Sequence, residues 1–264
     1  MRKFLVFIIL IGILIVAGIW VINSQLSRDT TNVSAVTSDK FIVANGISWY
    51  QDPDKQFNLA IFKKAFTLSF TAENAQSLKE QSYLDEYSLA VNGTYFRGSY
   101  VESEHSGLLQ ILGKKYWDLI PDKQLTNVVI YDESADVLKV IPTSDFNDGD
   151  YSAGKYTLFQ TGPLMIEDNV VQTQTIADSL NGEGRFLRTV LGFTDAGEKF
   201  VLITRVNSTL TELANNILKF PVFQGKKVTV INLDGGTSTS MYSKELDQFN
   251  YRENSRLPMV IGVK

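Results

Sequence analysis

The run from Phe4 to Ile22 contains no charged residue, and it sets the start of the chain apart from whatever the remainder folds into. At a helical rise of about 1.5 Å per residue the run spans roughly 28 Å, close to the hydrocarbon core of a bilayer. It is apolar on every face, unlike a surface helix with one apolar stripe. It also outruns the about 7–15 apolar residues of a cleaved secretory signal, and Ile19, Trp20, Val21 and Ile22 carry it past any small-residue cleavage site. Arg2 and Lys3 precede it. The expectation is therefore a single transmembrane signal-anchor over residues 1–23, with the following domain outside the cytoplasm and Trp20 at the outer interface.

Residues 24–40 read as a polar linker, rich in Ser and Thr and without a sustained apolar period. The globular domain is expected over residues 41–264. There is no cysteine, which excludes disulfides, thiolate metal sites and cysteine nucleophiles. A chain of 264 residues can bury a full core without them. The net charge of −4 provides no basic face for nucleic acid.

Within the domain the pattern is mostly short strands. Strands are predicted at Ile47–Tyr50, Phe57–Phe62, Ser88–Val91, Val128–Tyr131, Val137–Ile141 and Val228–Leu233. Hairpins are predicted where Leu108–Leu112 and Lys115–Leu119 flank Gly113-Lys114, and where Val190–Phe193 and Phe200–Thr204 flank a Thr-Asp-Ala-Gly-Glu turn. Ala72–Leu84 reads as a helical stretch. A second helix is marked by the capping box Thr209-Leu-Thr-Glu212, with Leu210, Leu213, Ala214, Ile217 and Leu218 on one face and Pro221 ending it. Strands interleaved with few helices, without strict alternation, predict an α+β fold: a mixed twisted sheet core with a few packed helices.

The segment Val228-Thr-Val-Ile-Asn-Leu-Asp-Gly-Gly-Thr-Ser-Thr-Ser240 carries the most chemistry. A β-branched strand delivers Asn232 and Asp234 to its end, and Gly235 and Gly236 permit a sharp turn and close approach to the main chain. A carboxylate there serves as base, nucleophile or cation ligand, or else simply caps a tight turn. A phosphate-binding P-loop is excluded because no Lys follows the glycines. His105, beside Glu102 and Glu104, reads as a solvated surface rather than a metal site. Asp145–Asp150 reads as a charged loop, since it lacks the spacing and terminal Glu of an EF-hand.

Asn232-Leu-Asp-Gly-Gly-Thr-Ser238 resembles the Asn-Leu-Asp-Gly-Gly-Gly-Ser signature of the phosphodiester glycosidases. Further elements resemble that family in the same order: Asn92-Gly-Thr-Tyr-Phe96, Gly107-Leu-Leu109 with Gly113, Thr161-Gly-Pro-Leu-Met-Ile166, Arg188-Thr-Val-Leu-Gly192, Thr211-Glu-Leu-Ala214 and the closing Arg256–Val263. Together they span roughly Leu84 to the C-terminus. Thr94 and Thr237 stand where the family commonly has glycine. Arg205-Val-Asn207 stands where it often has an acidic residue.

The resemblance implies a hydrolase acting on sugar-1-phosphodiesters. The leaving group of such a substrate is a phosphate monoester, a weak base already, so protonating it matters less than in ordinary glycosides. One carboxylate and a phosphate clamp then suffice. Asp234 is expected as nucleophile or general base, and Arg188 as the clamp, since a guanidinium binds phosphate oxygens bidentately and stays charged. A structural ion pair is the competing role for Arg188, and a turn-forming role for Asn92. Asn92 and Asn232 are expected to hold sugar hydroxyls, and backbone amides near Gly93 and Gly236 to stabilise developing charge. Gly162, Thr189, Gly235, Thr237 and Ser238 complete the expected substrate contacts. No cofactor is required, and a divalent cation is compatible. The expected partners are a glycan or sugar phosphate in the envelope or an extracellular polysaccharide, and the membrane through the anchor. The competing reading is a non-catalytic cell-wall or exopolysaccharide binding module on the same fold.

Overall fold

The computed structural model describes residues 41–52, 54–70, 76–77, 86–98, 103–252 and 256–264. The expected anchor and linker lie outside these residues. Among the described residues no helix is long and apolar enough to cross a membrane.

An eight-stranded sheet forms the centre. Its spatial order is Ile42–Ala44, Ile47–Gln51, Phe57–Phe62, Lys199–Thr204, Thr189–Thr194, Val228–Asn232, Leu164–Glu167 and Val170–Val171. Every pairing in it is antiparallel, so the expected mixed sheet is corrected to an antiparallel one. The reason is the connections: hairpins join neighbours such as Thr189–Thr194 and Lys199–Thr204, and the crossover through helix Leu210–Ile217 joins two parallel strands, Lys199–Thr204 and Val228–Asn232, that are kept apart by Thr189–Thr194 between them.

Side-chain alternation explains why the central strands are apolar throughout. Ala60, Phe62, Val201, Ile203, Leu191 and Ile231 face one core, while Leu59, Ile61, Phe200, Leu202, Val190 and Val230 face another. Successive side chains of a strand point to opposite faces, so a sheet covered on both sides needs apolar residues at both parities.

The second core is closed by two helices, Thr173–Asp178 and Leu210–Ile217, through Ile176, Leu210, Leu213, Ala214 and Ile217. The latter starts at the predicted capping box. The Glu212 amide donates to the Thr209 hydroxyl, and the Thr209 amide to the Glu212 carboxylate, each at 3.1 Å. The first core is closed by two further antiparallel sheets. One runs Lys114–Trp117, Leu109–Ile111, Tyr156–Thr161, Asn127–Asp132, Val137–Pro142; the other runs Met241–Ser243, Leu89–Asn92, Met259–Val263, Phe66–Phe70. The fold is thus mostly sheet with few helices, in keeping with an α+β class.

Two local expectations are corrected. Within Ala72–Leu84, Gln76–Ser77 is a short strand paired with Arg256–Leu257; the rest of that stretch lies outside the described residues. His105 is buried rather than solvated. It ends a strand paired with Phe96–Gly98, and its ring lies 5.4 Å from that of Trp117. Burial pulls its pKa down to about 4, so it is neutral at pH 7. The Asp145–Asp150 loop is exposed as expected, and Asp148 is paired with Lys115.

Candidate active site

The site forms where the chain leaves the eight-stranded sheet for the four-stranded one. The strand Val228–Asn232 ends beside Thr189–Thr194, and the chain then turns through Asp234–Ser238 into Met241–Ser243. Two glycines make the turn feasible. A Cβ at Gly235 would lie 2.5 Å from the Leu187 carbonyl oxygen, and Gly236 has φ +60 and donates its amide to that same oxygen at 2.8 Å.

Beneath the turn lies Asn92, the last residue of its strand and 1 % exposed. Its Nδ2 donates to the backbone carbonyls of Asp234 at 2.7 Å and Gly93 at 3.3 Å. Its Oδ1 accepts from the Thr189 hydroxyl at 2.8 Å and the Ser240 amide at 3.0 Å. A primary amide has two donors and two acceptor sites. All four are matched within the protein, so Asn92 ties three chain segments together. It does not face a ligand.

Above it, Asp234, Arg188 and Tyr95 line a cavity of about 230 Å³ together with Gly235, Gly236, Thr237, Leu180 and Phe186. That is small beside drug-sized sites of about 300–1,000 Å³. Burial pushes the Asp234 carboxyl up to about 6, against the lowering effect of hydrogen bonds from the Ser238 hydroxyl and the Gly235 amide, the latter at 2.8 Å. Arg188 is 5 % exposed. Its Nε donates to the Ser208 carbonyl at 3.1 Å, and its Nη2 to the carbonyls of Asn181, at 2.8 Å, and Gly184. These bonds use three of its five N–H groups and fix the plane of the guanidinium, while the two on Nη1 have no partner among the described residues. Among those residues Arg188 also forms no salt bridge, with Asp234 or any other carboxylate. Opposite charges therefore line one cavity without neutralising each other.

Tyr95 is the residue that sequence reasoning missed. Its hydroxyl donates to the Gly162 carbonyl at 3.2 Å and accepts from Asn232 Nδ2 at 2.6 Å. Burial and the charge of Asp234 hold its pKa above the usual phenol value, so it remains a neutral O–H. The signal was in view: Tyr95 is the aromatic of the Asn92–Phe96 element.

The phosphodiester glycosidase family matches this chain over residues 85–264. The chain belongs to that family. No curated protein sequence matches. Among solved structures, the chain resembles the catalytic domain of zebrafish N-acetylglucosamine-1-phosphodiester alpha-N-acetylglucosaminidase, auto-inhibited by its pro-peptide. The TM-score is 0.56 at 13 % identity, covering 82 % of this chain and 81 % of that one. A hypothetical protein from Synechocystis gives 0.55 at 11 % identity, with 85 % and 61 % covered. A putative exported protein of Burkholderia pseudomallei gives 0.53 at 9 % identity, with 84 % and 75 % covered. At these identities the likeness is one of fold.

The family elements converge here, but they divide by role. Asp234, Arg188, Gly235, Gly236 and Thr237 line the cavity. Thr189 is fully buried under it, its hydroxyl given to Asn92. The amides of Gly93 and Gly236 themselves donate to the carbonyls of Met259 and Leu187, so these two are already used within the protein. Gly162 contributes its carbonyl to Tyr95 and Asn232 rather than to a ligand. Asn232 is 2 % exposed with its Oδ1 unpartnered, and Ser238 is buried against Asp234. Thr94, in place of the family's glycine, is 2 % exposed and donates to the Gln160 carbonyl at 2.8 Å, so it does not reshape the cavity. Thr237 is exposed at its mouth. Among the described residues no group of three or more His, Asp or Glu side chains is placed to hold a metal ion.

Proposed function

We propose that this chain is a hydrolase that cleaves a glycosyl-phosphodiester linkage in an envelope or extracellular glycan. It would act outside the cytoplasm, tethered to the membrane by residues 1–23. The observation that carries the reading is the Arg188 guanidinium, bonded by no carboxylate among the described residues and open at Nη1, in one small cavity with Asp234. A phosphodiester places its anion on that open edge, and its sugar then lies against the carboxylate. Asp234 acts ionised, as the nucleophile at the anomeric carbon or as the base that takes a proton from water. The departing phosphate leaves as a weak base held by Nη1 of Arg188, so a second carboxylate to protonate it is unnecessary. Tyr95 stands neutral at the same wall, its O–H held by the Gly162 carbonyl.

The zebrafish relative is named for an N-acetylglucosamine-1-phosphodiester, which makes such a compound the first substrate to try. The full chain is incubated with it and free sugar is followed by chromatography, with Asp234→Asn beside it. The expected result is release by the wild type and a loss on the order of 10⁴-fold in the variant. Equal release by both sinks the assignment of Asp234. Saturable glycan binding with no release favours the non-catalytic module.

A further inference from the structure

Two guanidiniums converge on one ring just outside the cavity. The guanidinium carbons of Arg205 and Arg252 lie 5.0 and 5.5 Å from the centroid of the Tyr251 ring. Tyr251 is held in place by backbone bonds to Met241 in both directions, at 3.0 and 2.9 Å. A cation–π contact positions a guanidinium without using its five N–H groups. Arg252 gives one of them, on Nη1, to the Gly236 carbonyl at 3.2 Å, and the Arg205 side chain gives none to a partner among the described residues. Among those residues neither arginine forms a salt bridge. Two like charges therefore stand together unneutralised in a chain whose net charge is −4. Arg252 also has φ +48, a left-handed conformation uncommon for a residue with a side chain, and such strain gathers at binding sites.

Both arginines are tied to the walls of the cavity. Arg205 follows Thr204, whose amide donates to the Arg188 carbonyl and whose hydroxyl accepts from the Arg188 amide, each at 2.8 Å. Arg252 bonds Gly236, which lines the cavity together with Arg188. Neither Arg205 nor Arg252 lines the cavity itself, so a phosphate on Arg188 does not touch them. We propose that Arg205 and Arg252 form a second phosphate subsite, so that the preferred substrate is a glycan carrying phosphodiesters at repeated intervals. This rests on the reading that Arg188 holds the phosphate of the scissile linkage. One phosphodiester of such a chain lies on Nη1 of Arg188, and a neighbouring one, past the turn at 235–237, meets the free N–H groups beside Tyr251. A guanidinium offers paired donors in its own plane, which suits phosphate oxygens. A glycan without a second anion leaves both charges as they stand and gains nothing there.

The test is binding of compounds that have no glycosidic bond, and so is independent of turnover. The full chain is titrated by calorimetry with glycerophosphoglycerol, which has one phosphodiester, and with a synthetic glycerol phosphate oligomer that has four. The oligomer is expected to bind more than about tenfold tighter, because its second phosphate engages within the complex already formed. Arg205→Gln and Arg252→Gln should each weaken the oligomer roughly three- to tenfold, as for one charge-assisted bond lost at a surface, and leave glycerophosphoglycerol unchanged. Arg205→Gln serves as the check, since its side chain bonds nothing in the cavity wall. Arg188→Lys should weaken both compounds. A gain of only about fourfold, the bare number of phosphodiesters, or a gain that both glutamine variants keep, overturns the second subsite and leaves the phosphate site on Arg188 intact. Capture of phosphatidylglycerol vesicles through Arg205 and Arg252, with no such gain for the oligomer, overturns it in favour of a lipid surface. Failure of glycerophosphoglycerol to bind overturns the phosphate reading, and this inference with it.

Discussion

Asn92 and Arg188 come from family elements of the same kind and are both almost fully buried, but their hydrogen bonding is opposite in outcome. At the floor, the Asn92 amide is matched on every donor and acceptor, and those four bonds join Asp234, Gly93, Thr189 and Ser240. At the mouth, Arg188 is positioned by three backbone carbonyls yet keeps a positive charge and one nitrogen without a protein partner among the described residues. Saturated capacity builds structure; capacity that is oriented but left over waits for a ligand. The contrast predicts that the floor answers mutation in stability and the mouth in affinity and rate.

The sharpest way to break it is Arg188→Lys. Lysine keeps a charge but cannot satisfy three carbonyls and still offer a planar pair of donors to phosphate. We expect kcat/KM on a sugar-1-phosphodiester to fall on the order of 10²–10³-fold, as for removal of a preorganised charge-stabilising donor. Unchanged turnover would return Arg188 to a purely structural role.

Asn92→Ala is the complementary probe. It strands the Thr189 hydroxyl, the Ser240 amide and the Asp234 carbonyl in a buried setting. Each unmatched group costs about 1–3 kcal/mol, so we expect a loss of about 3 kcal/mol or more in urea unfolding. Phosphate affinity per folded molecule should move far less than in Arg188→Lys. If instead stability is untouched and substrate affinity collapses, the floor is a binding surface after all.

How much of this was legible in the sequence follows from the range of the interactions. Phe57–Phe62 and Phe200–Thr204 announce themselves because strand alternation and burial on both faces are written in consecutive residues. The capping box spans only Thr209 to Glu212. The alternating Phe66–Phe70 was equally local and went unread, as did Tyr156–Thr161. The division of labour inside the site was of another kind. Asn92 reaches Asp234 and Ser240 across 142 and 148 positions, and Tyr95 reaches Asn232 across 137. A motif brought these residues onto one short list, but which of them is spent on protein and which remains available depends on geometry. His105 failed for the same reason: its flanking glutamates suggest solvent, while the pairing of its strand with Phe96–Gly98 buries it.

The smallest effect separates the two regions through a single proton. Asp234 has a folded-state pKa of about 6 against 3.8 for the free side chain, because burial disfavours its charge. Below the lower value both folded and unfolded chains carry the proton and the site costs nothing. Between the two values the unfolded chain ionises first, so rising pH draws the equilibrium towards unfolding; above about 6 both are ionised and the penalty is constant. Asp234→Asn removes that penalty. Its melting temperature should therefore match the wild type near pH 4, rise above it progressively up to pH 6, and keep a constant lead beyond. Activity of the wild type should climb over the same interval and level off, since the ionised carboxylate is the working form. A variant that is less stable than the wild type at pH 8 would mean that the Asp234 charge is compensated in the folded protein. The mouth would then be as saturated as the floor.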